Sequence, residues 1–263
     1  MQIIGQEKLL NIIDTFLDSN NLPQSLLLVG DKGCGKHTIA SYIAKRLGLE
    51  IRDISSKVSD EYLSDIYLAV TRYIYLLDFS CISFKSQNSL LKFIEEPPKN
   101  CYIIGVCENK TQILPTTQNR CSVLCFDRYT KQQLTFLTDD EYLLSVCNTP
   151  GKIITFQNMT GIDIEKYKSL AKTIVEKIYN ANIANILTIS NKLSFKDTDT
   201  SETLSVDLFL VMLKKEIESR IVHDTSLSNQ YYLVEKLYND FMIPHVNKKY
   251  LFENFLIRLK YSR

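Results

Sequence analysis

Two apolar runs with a helix between them constrain this chain more than any other feature. Tyr73 to Leu77 and Tyr102 to Val106 have the length and the β-branched and aromatic content of buried strands. Ser86 to Glu96 lies between them with helical spacing, and Pro97 and Pro98 end it. A proline has no amide hydrogen to donate and restricts the residue before it. Strand, helix and strand with a connection of this length form the repeating unit of a parallel sheet. The expected fold class is therefore α/β.

A second strand-to-helix junction lies upstream and carries chemistry. Ser25 to Val29 reads as a short buried strand, and it runs into Gly30-Asp-Lys-Gly-Cys-Gly-Lys36, which fits the P-loop frame G-x-x-x-x-G-K. Gly30, Gly33 and Gly35 let backbone N–H groups curl around phosphate oxygens. The helix that follows, Thr38 to Leu47, points its positive end at them, and Lys36 adds a charge. The frame next requires a Ser or Thr hydroxyl for Mg²⁺, and this chain has His37. A neutral imidazole is a poor ligand for a hard cation, and Thr38 sits one position too far along to replace it. The candidate nucleotide-binding residues are Gly30, Gly33, Gly35, Lys36, His37 and Thr38, with ATP or ADP as the ligand and no magnesium site. The alternative is a glycine-rich turn that binds nothing.

Charge and cysteine usage narrow the function classes. With 31 Lys+Arg against 30 Asp+Glu the net charge is +1, too small for a protein that neutralises many phosphates, so DNA contact would fall to local patches. The seven cysteines include no Cys-x-x-Cys pair and no histidine at ligand spacing, which argues against zinc. Their odd number, and an opening stretch that holds Gln, Glu and Lys instead of a secretory leader, point to reduced thiols in a cytoplasm. No apolar run approaches the roughly 20 residues that span a bilayer, so a soluble protein is expected.

The rest of the chain reads mainly as helix. A first helix runs to about Asp18, a short strand covers Glu50 to Ile54, and a further helix spans about Ser59 to Ala69. After Phe126 strand-like runs cease. Helices are expected at Thr130–Leu137, Asp139–Cys147, Asp163–Asn180, Ile183–Leu193, Leu204–Ile221, Asn229–Met242 and Lys248–Lys260, with an exposed polar loop at Lys196–Glu202.

The block Asn88-Ser-Leu-Leu-Lys-Phe-Ile-Glu-Glu-Pro-Pro98 resembles the segment after the Walker B strand of AAA+ clamp-loader ATPases. Ile113-Leu114-Pro115-Thr116 and Asn119-Arg120-Cys121 resemble their run into a Ser-Arg-Cys motif, and Asn247 to Leu259 resembles the end of their collar domains. The pattern is similar to that of delta-prime-like subunits of the bacterial DNA polymerase III clamp loader. That resemblance implies an AAA+ P-loop domain with a parallel sheet over residues 1–127, a small helical lid over 128–184, and an all-helical C-terminal collar over 185–263. The four-cysteine zinc module that many bacterial relatives insert before Walker B is absent, since Asp53 to Asp78 holds no cysteine.

The resemblance also distributes roles. Leu76-Leu77-Asp78-Phe79 stands where the family has its Walker B acids; Asp78 keeps the carboxylate that faces magnesium, and Phe79 replaces the one that activates water. A phenyl ring cannot act as a general base, a loss worth about 10²- to 10⁴-fold in rate. Asn109 falls at the sensor 1 position, or is an ordinary polar turn residue. Lys152, in Pro150-Gly151-Lys152, falls in the sensor 2 region, or is a solvated helix-start lysine. Arg120 is the implied arginine finger, reaching in trans to the γ-phosphate held by a neighbour.

The function expected is that of a delta-prime-like clamp-loader subunit with no intrinsic ATPase activity, part of a hetero-oligomeric ATPase complex with delta-like and gamma/tau-like subunits, a sliding clamp and primer-template DNA. An active motor subunit, with Glu95 or Glu108 as substitute carboxylate, is the first alternative. A small-molecule P-loop kinase and a homo-oligomeric AAA+ remodeller are weaker ones.

Overall fold

The computed structural model of this chain describes residues 3–68, 71–99, 101–158, 161–178, 180, 182–191, 193–194, 204–221, 228–241 and 246–262. The expected loop at Lys196–Glu202, and the expected helix ends at Ala69 and Met242, lie outside them. The described residues group into two compact units: residues 1–140 with 148–153, and residues 141–147 with 154–263.

The first unit opens with α1 (Glu7–Asp18), β1 (Ser25–Val29), α2 (Lys36–Leu47), β2 (Glu50–Asp53) and α3 (Asp60–Leu68). It continues with β3 (Tyr73–Asp78), α4 (Phe84–Glu95), β4 (Tyr102–Cys107), a single 3₁₀ turn at Lys110–Gln112, α5 (Pro115–Gln118), β5 (Ser122–Cys125) and α6 (Lys131–Leu134). The strands form one parallel sheet in the order β2-β3-β4-β1-β5, with Val29 registered against both Cys107 and Cys125, and Asp78 against Val106. All of β1 is buried, as expected of a strand covered on both faces.

Alternation along each strand separates the two cores. Leu26, Leu28, Ile74 and Leu76 pack with Ile13 of α1 and Ile39 and Ile43 of α2 on one face. Leu27, Tyr75 and Leu77 pack with Leu63 of α3 and Leu90 and Phe93 of α4 on the other. The result is a helix–sheet–helix sandwich whose strand ends converge on one edge, where the loops after β1, β3 and β4 lie side by side. In open α/β sheets that edge is the binding edge.

The second unit holds α7 (Glu141–Val146), the second half of α8 (Pro150–Gln157), α9 (Gly161–Lys177), α10 (Ile183–Ser190), α11 (Val206–Ile221), α12 (Ser228–Phe241) and α13 (Lys248–Lys260). Its core includes Phe209, Leu213, Phe252 and Leu256, all buried, with the Phe209 and Phe252 rings edge-on at 5.9 Å between centroids. One feature departs from the expected all-helical pattern after Phe126: β6 (Leu193–Ser194) and β7 (Leu204–Ser205) pair in parallel, so α11 starts at Val206 and not at Leu204. Two-residue strands are too short to carry an alternation that a sequence could reveal.

Candidate functional site

Gly30 leaves β1 with its N–H on the Cys107 carbonyl at 3.1 Å, and a side chain there would meet Phe126 and the Cys34 thiol at under 3 Å. The chain then turns through Gly33 at φ +82° and Gly35 at φ +100°, a region that L side chains rarely adopt, and Gly35 becomes the N-cap of α2. The loop and the helix start thus have the shape that a phosphate cradle needs. His37 is exposed and Thr38 half-buried, both in the first turn of α2.

The carbonyls of the loop are all engaged. Lys36 is buried, and its ammonium donates to the Gly30 carbonyl at 2.5 Å and the Asp31 carbonyl at 3.1 Å. Thr149 Oγ1 donates to the Lys32 carbonyl at 3.0 Å, the Gly151 N–H to the Gly33 carbonyl at 2.8 Å, and the Tyr129 hydroxyl to the Cys34 carbonyl at 2.7 Å. Asn148 Nδ2 reaches the Asp31 carboxylate at 3.1 Å, and Lys152 Nζ reaches Asn148 Oδ1 at 2.9 Å. Gly151 lies so close to Gly33 that a methyl group on it would sit 2.6 Å from the Gly33 Cα. Residues 148–152 are therefore stapled to the P-loop, and Lys152 stands beside it. Phosphates bound at this turn would have to draw Lys36 off two carbonyls. The donor set does not fit Mg²⁺, since the residue after Lys36 offers an imidazole.

At the end of β3, Asp78 Oδ1 accepts from the Ser80 N–H at 2.9 Å and the Ser80 hydroxyl at 2.6 Å, closing a local turn. Phe79 is 1% exposed and its ring presses on Gly105 of β4, where a Cβ would lie 2.7 Å from the ring edge. The position after Asp78 thus belongs to the core. Asn109 follows β4 and caps the 3₁₀ turn: its Oδ1 accepts from the Thr111 N–H at 3.1 Å, while Gln112 Oε1 accepts from the Glu108 and Asn109 N–H groups at 2.9 and 3.3 Å.

Sequence reasoning passed over Gln87, which is wholly buried. Its Nε2 donates to the Gln112 carbonyl at 2.8 Å and its Oε1 accepts from the Leu114 N–H at 2.9 Å, so one side chain of α4 holds the segment after β4 by two backbone groups. The signal was present: Gln87 lies three and seven residues before Leu90 and Ile94, on the apolar stripe of its helix, and a buried polar group requires partners.

Arg120 stands between α5 and β5, a third exposed. Its Nε donates to Glu95 Oε2 at 2.8 Å and its Nη1 to the Thr116 carbonyl at 2.8 Å, while Nη2 has no partner among the described residues. Glu95 is the last residue of α4, about 17 Å along a 12-residue helix from the end nearer Asp78. It cannot substitute for the missing carboxylate there. Glu108, two residues beyond the partner of Asp78 in the register, lies on the same edge.

Three thiols of the first unit are disfavoured as thiolates. Burial pushes Cys34 up to about 11 and Cys107 up to about 12, and that of Cys121 to about 11. No cluster of three or more His, Cys, Asp or Glu able to hold a metal occurs among the described residues.

Residues 49–130 match the family model described as "DNA polymerase III, delta subunit". Among curated proteins the chain is 29% identical over 154 residues to DNA polymerase III subunit gamma of Buchnera aphidicola, covering 46% of this chain and 42% of that one. It is 26% identical over 140 residues to replication factor C subunit 4 of Encephalitozoon cuniculi, covering 48% of this chain and 45% of that one. The chain thus spans less than half the length of the curated relatives it matches. Among solved structures, a DNA polymerase III gamma subunit-related protein of Thermotoga maritima has a TM-score of 0.51 at 13% identity, covering 95% of this chain and 99% of that one. A RuvB protein of the same organism also has a TM-score of 0.51, at 16% identity, covering 97% and 88%. These two likenesses are of fold, and the fold is that of AAA+ proteins. Taken together, the matched family model over residues 49–130, the sequence relatives and the motif-bearing edge of the sheet make the chain similar to clamp-loader AAA+ proteins.

Proposed function

We propose that this chain is a delta-prime-like clamp-loader subunit that hydrolyses little or no ATP itself and donates Arg120 in trans to ATP held by a neighbouring subunit. The observation that carries this reading is the burial of Phe79: the position that should polarise the attacking water is filled by a ring 1% exposed and locked against Gly105. His37 in place of the metal-holding hydroxyl supports it independently. The finger needs a permanently charged forked donor at the surface, and Arg120 is exposed enough to supply one, with Nη2 uncommitted among the described residues.

On this reading the loop at Gly30–Thr38 is a nucleotide site without catalytic metal, taking ATP or ADP only if Lys36 leaves its carbonyls. Asp78, Asn109 and Lys152 are its remaining candidate contacts. The neighbours would be gamma/tau-like and delta-like subunits, the cargo a sliding clamp, and the template primed DNA, in a cytoplasm. The division at 1–127, 128–184 and 185–263 belongs to the same proposal. No described helix is long and apolar enough to cross a membrane.

The test is ATP turnover by the reconstituted complex with clamp and primed DNA. A fall of 10³-fold or more is the scale expected for losing such an arginine, so Arg120→Ala should nearly abolish turnover. Unchanged turnover sinks the finger. A second reading, an active motor with Glu108 as the carboxylate, draws on its place beside Asp78. Robust turnover by the chain alone that Glu108→Gln removes would establish it.

A further inference from the structure

We propose that Glu95 is a positioning residue for Arg120, fixing the guanidinium before a neighbouring subunit docks. This rests on the reading of Arg120 as a finger in trans. An arginine side chain has many rotamers, and immobilising one on docking commonly costs affinity or rate. Here the immobilisation is done within the chain. Glu95 takes Nε from one side at 2.8 Å, the Thr116 carbonyl takes Nη1 at 2.8 Å, and between them they set the plane of the guanidinium. Of its five N–H donors two are used, and Nη2 stays open to a ligand among the described residues.

The choice of a half-exposed carboxylate matters. The Glu95 side chain is 56% exposed and that of Arg120 33%, so solvent screens the pair and it binds weakly. It is strong enough to select a rotamer and too weak to compete with a polyphosphate for the arginine. Position reinforces the argument: Glu95 ends α4, which is anchored in the sheet's core by Leu90, Phe93 and Ile94, so its carboxylate is presented from a rigid element and not from a loop.

Two measurements test this. In the isolated chain, the ¹⁵N–¹H signal of the Arg120 Nε group, identified by its loss in Arg120→Ala, should report an ordered side chain in the wild type and a mobile one in Glu95→Ala. In the reconstituted complex, Glu95→Ala should lower turnover at saturating ATP about two- to tenfold with KM for ATP unchanged. Glu95→Gln, which keeps an acceptor oxygen, should recover part of it, and Glu95→Ala combined with Arg120→Ala should add nothing to Arg120→Ala alone. Equal mobility of Nε in wild type and Glu95→Ala overturns the proposal. So does wild-type turnover in Glu95→Ala, or a loss that persists unchanged in the Arg120→Ala background. If Arg120→Ala itself leaves turnover intact, the finger reading fails and the positioning role falls with it, while the Nε signal still tells whether Glu95 orders the side chain.

Discussion

Phe79→Glu would restore the family's acidic pair on paper, and its expected failure separates a vacant catalytic position from one absorbed into the core. The ring is 1% exposed and packed on Gly105 and its surroundings. Removing such a ring costs about 3–5 kcal/mol in large-to-small substitutions. A glutamate keeps some of the bulk and leaves a carboxyl group without a built partner, about 1–3 kcal/mol even when protonated. The sum, on the order of 4 kcal/mol, is comparable with the whole stability of many domains, about 5–15 kcal/mol. Burial raises the pKa of such a carboxyl above its unfolded value near 4.3. The folded state then holds the proton more tightly than the unfolded one, so stability falls as pH rises from about 4.3 and levels off above the raised folded pKa. Phe79→Gln, a neutral near-isostere, lacks this dependence. Urea midpoints followed by circular dichroism, since the chain has no tryptophan, should therefore be low for both variants and diverge between pH 5 and pH 8, with Phe79→Glu the less stable at pH 8. Neither should gain ATP hydrolysis. A Phe79→Glu protein with the wild-type midpoint and measurable turnover would refute the reasoning, because the side chain would then be free to face the nucleotide.

Three further outcomes follow from the same geometry. Gly151→Ala places a methyl 2.6 Å from the Gly33 Cα, so it should pry residues 148–152 off the P-loop, lower the melting temperature by several degrees and speed amide exchange over residues 30–36; unchanged exchange there would mean that the staple is not what orders the loop. Gln87→Leu strands the Leu114 N–H and the Gln112 carbonyl, about 1–3 kcal/mol each, and should raise exchange at Leu114 before it unfolds the unit; a neutral effect on the urea midpoint would argue against that anchoring. Thiol labelling at pH 8 should modify exposed Cys81 and Cys125 first and Cys107 last, since a thiol pushed up to about 12 is about one part in 10⁴ thiolate at that pH; its rate should climb about tenfold per pH unit, and fast labelling of Cys107 at pH 8 would contradict its burial.

What the sequence disclosed and what it hid have physical causes. The strands β1, β3 and β4 were legible because both of their faces are covered, which turns them into unbroken apolar runs. Edge strand β5 is short and half-exposed, and nothing in Ser122 to Cys125 distinguishes it from a loop. Helix α4 starts at Phe84, two residues before the Ser86 that the apolar spacing suggests, with Ser83 as N-cap accepting from the Ser86 N–H at 3.1 Å. The P-loop frame was visible, but its staple was not: Thr149 and Asn148 lie 117 residues from the groups they bind, and no spacing rule reaches that far. Sequence offers Glu95 as a substitute base because it gives an acid without a direction. Only the 2.8 Å bond to Arg120 gives it a partner.

That bond also bears on the proposal that Arg120 acts as a finger while the chain itself turns over no nucleotide. The segment from Glu108 to Arg120 crosses the edge of the sheet, and α4 grips it at two levels. Near the start of the helix Gln87 holds the Gln112 carbonyl and the Leu114 N–H, and at its end Glu95 holds Arg120 itself. Between those grips Gln118 Nε2 donates to the Lys110 and Ile113 carbonyls at 2.8 and 2.9 Å, closing the segment on itself. None of these contacts involves Lys36, His37 or Asp78. The position of Arg120 is therefore set by a helix whose own core is the buried face of the sheet, and it should not change when ATP or ADP is added to the isolated chain. The Arg120 Nε signal measured with and without nucleotide decides this: a shift comparable with that caused by Glu95→Ala would mean that the P-loop controls the finger after all, and that the two ends of the site are coupled.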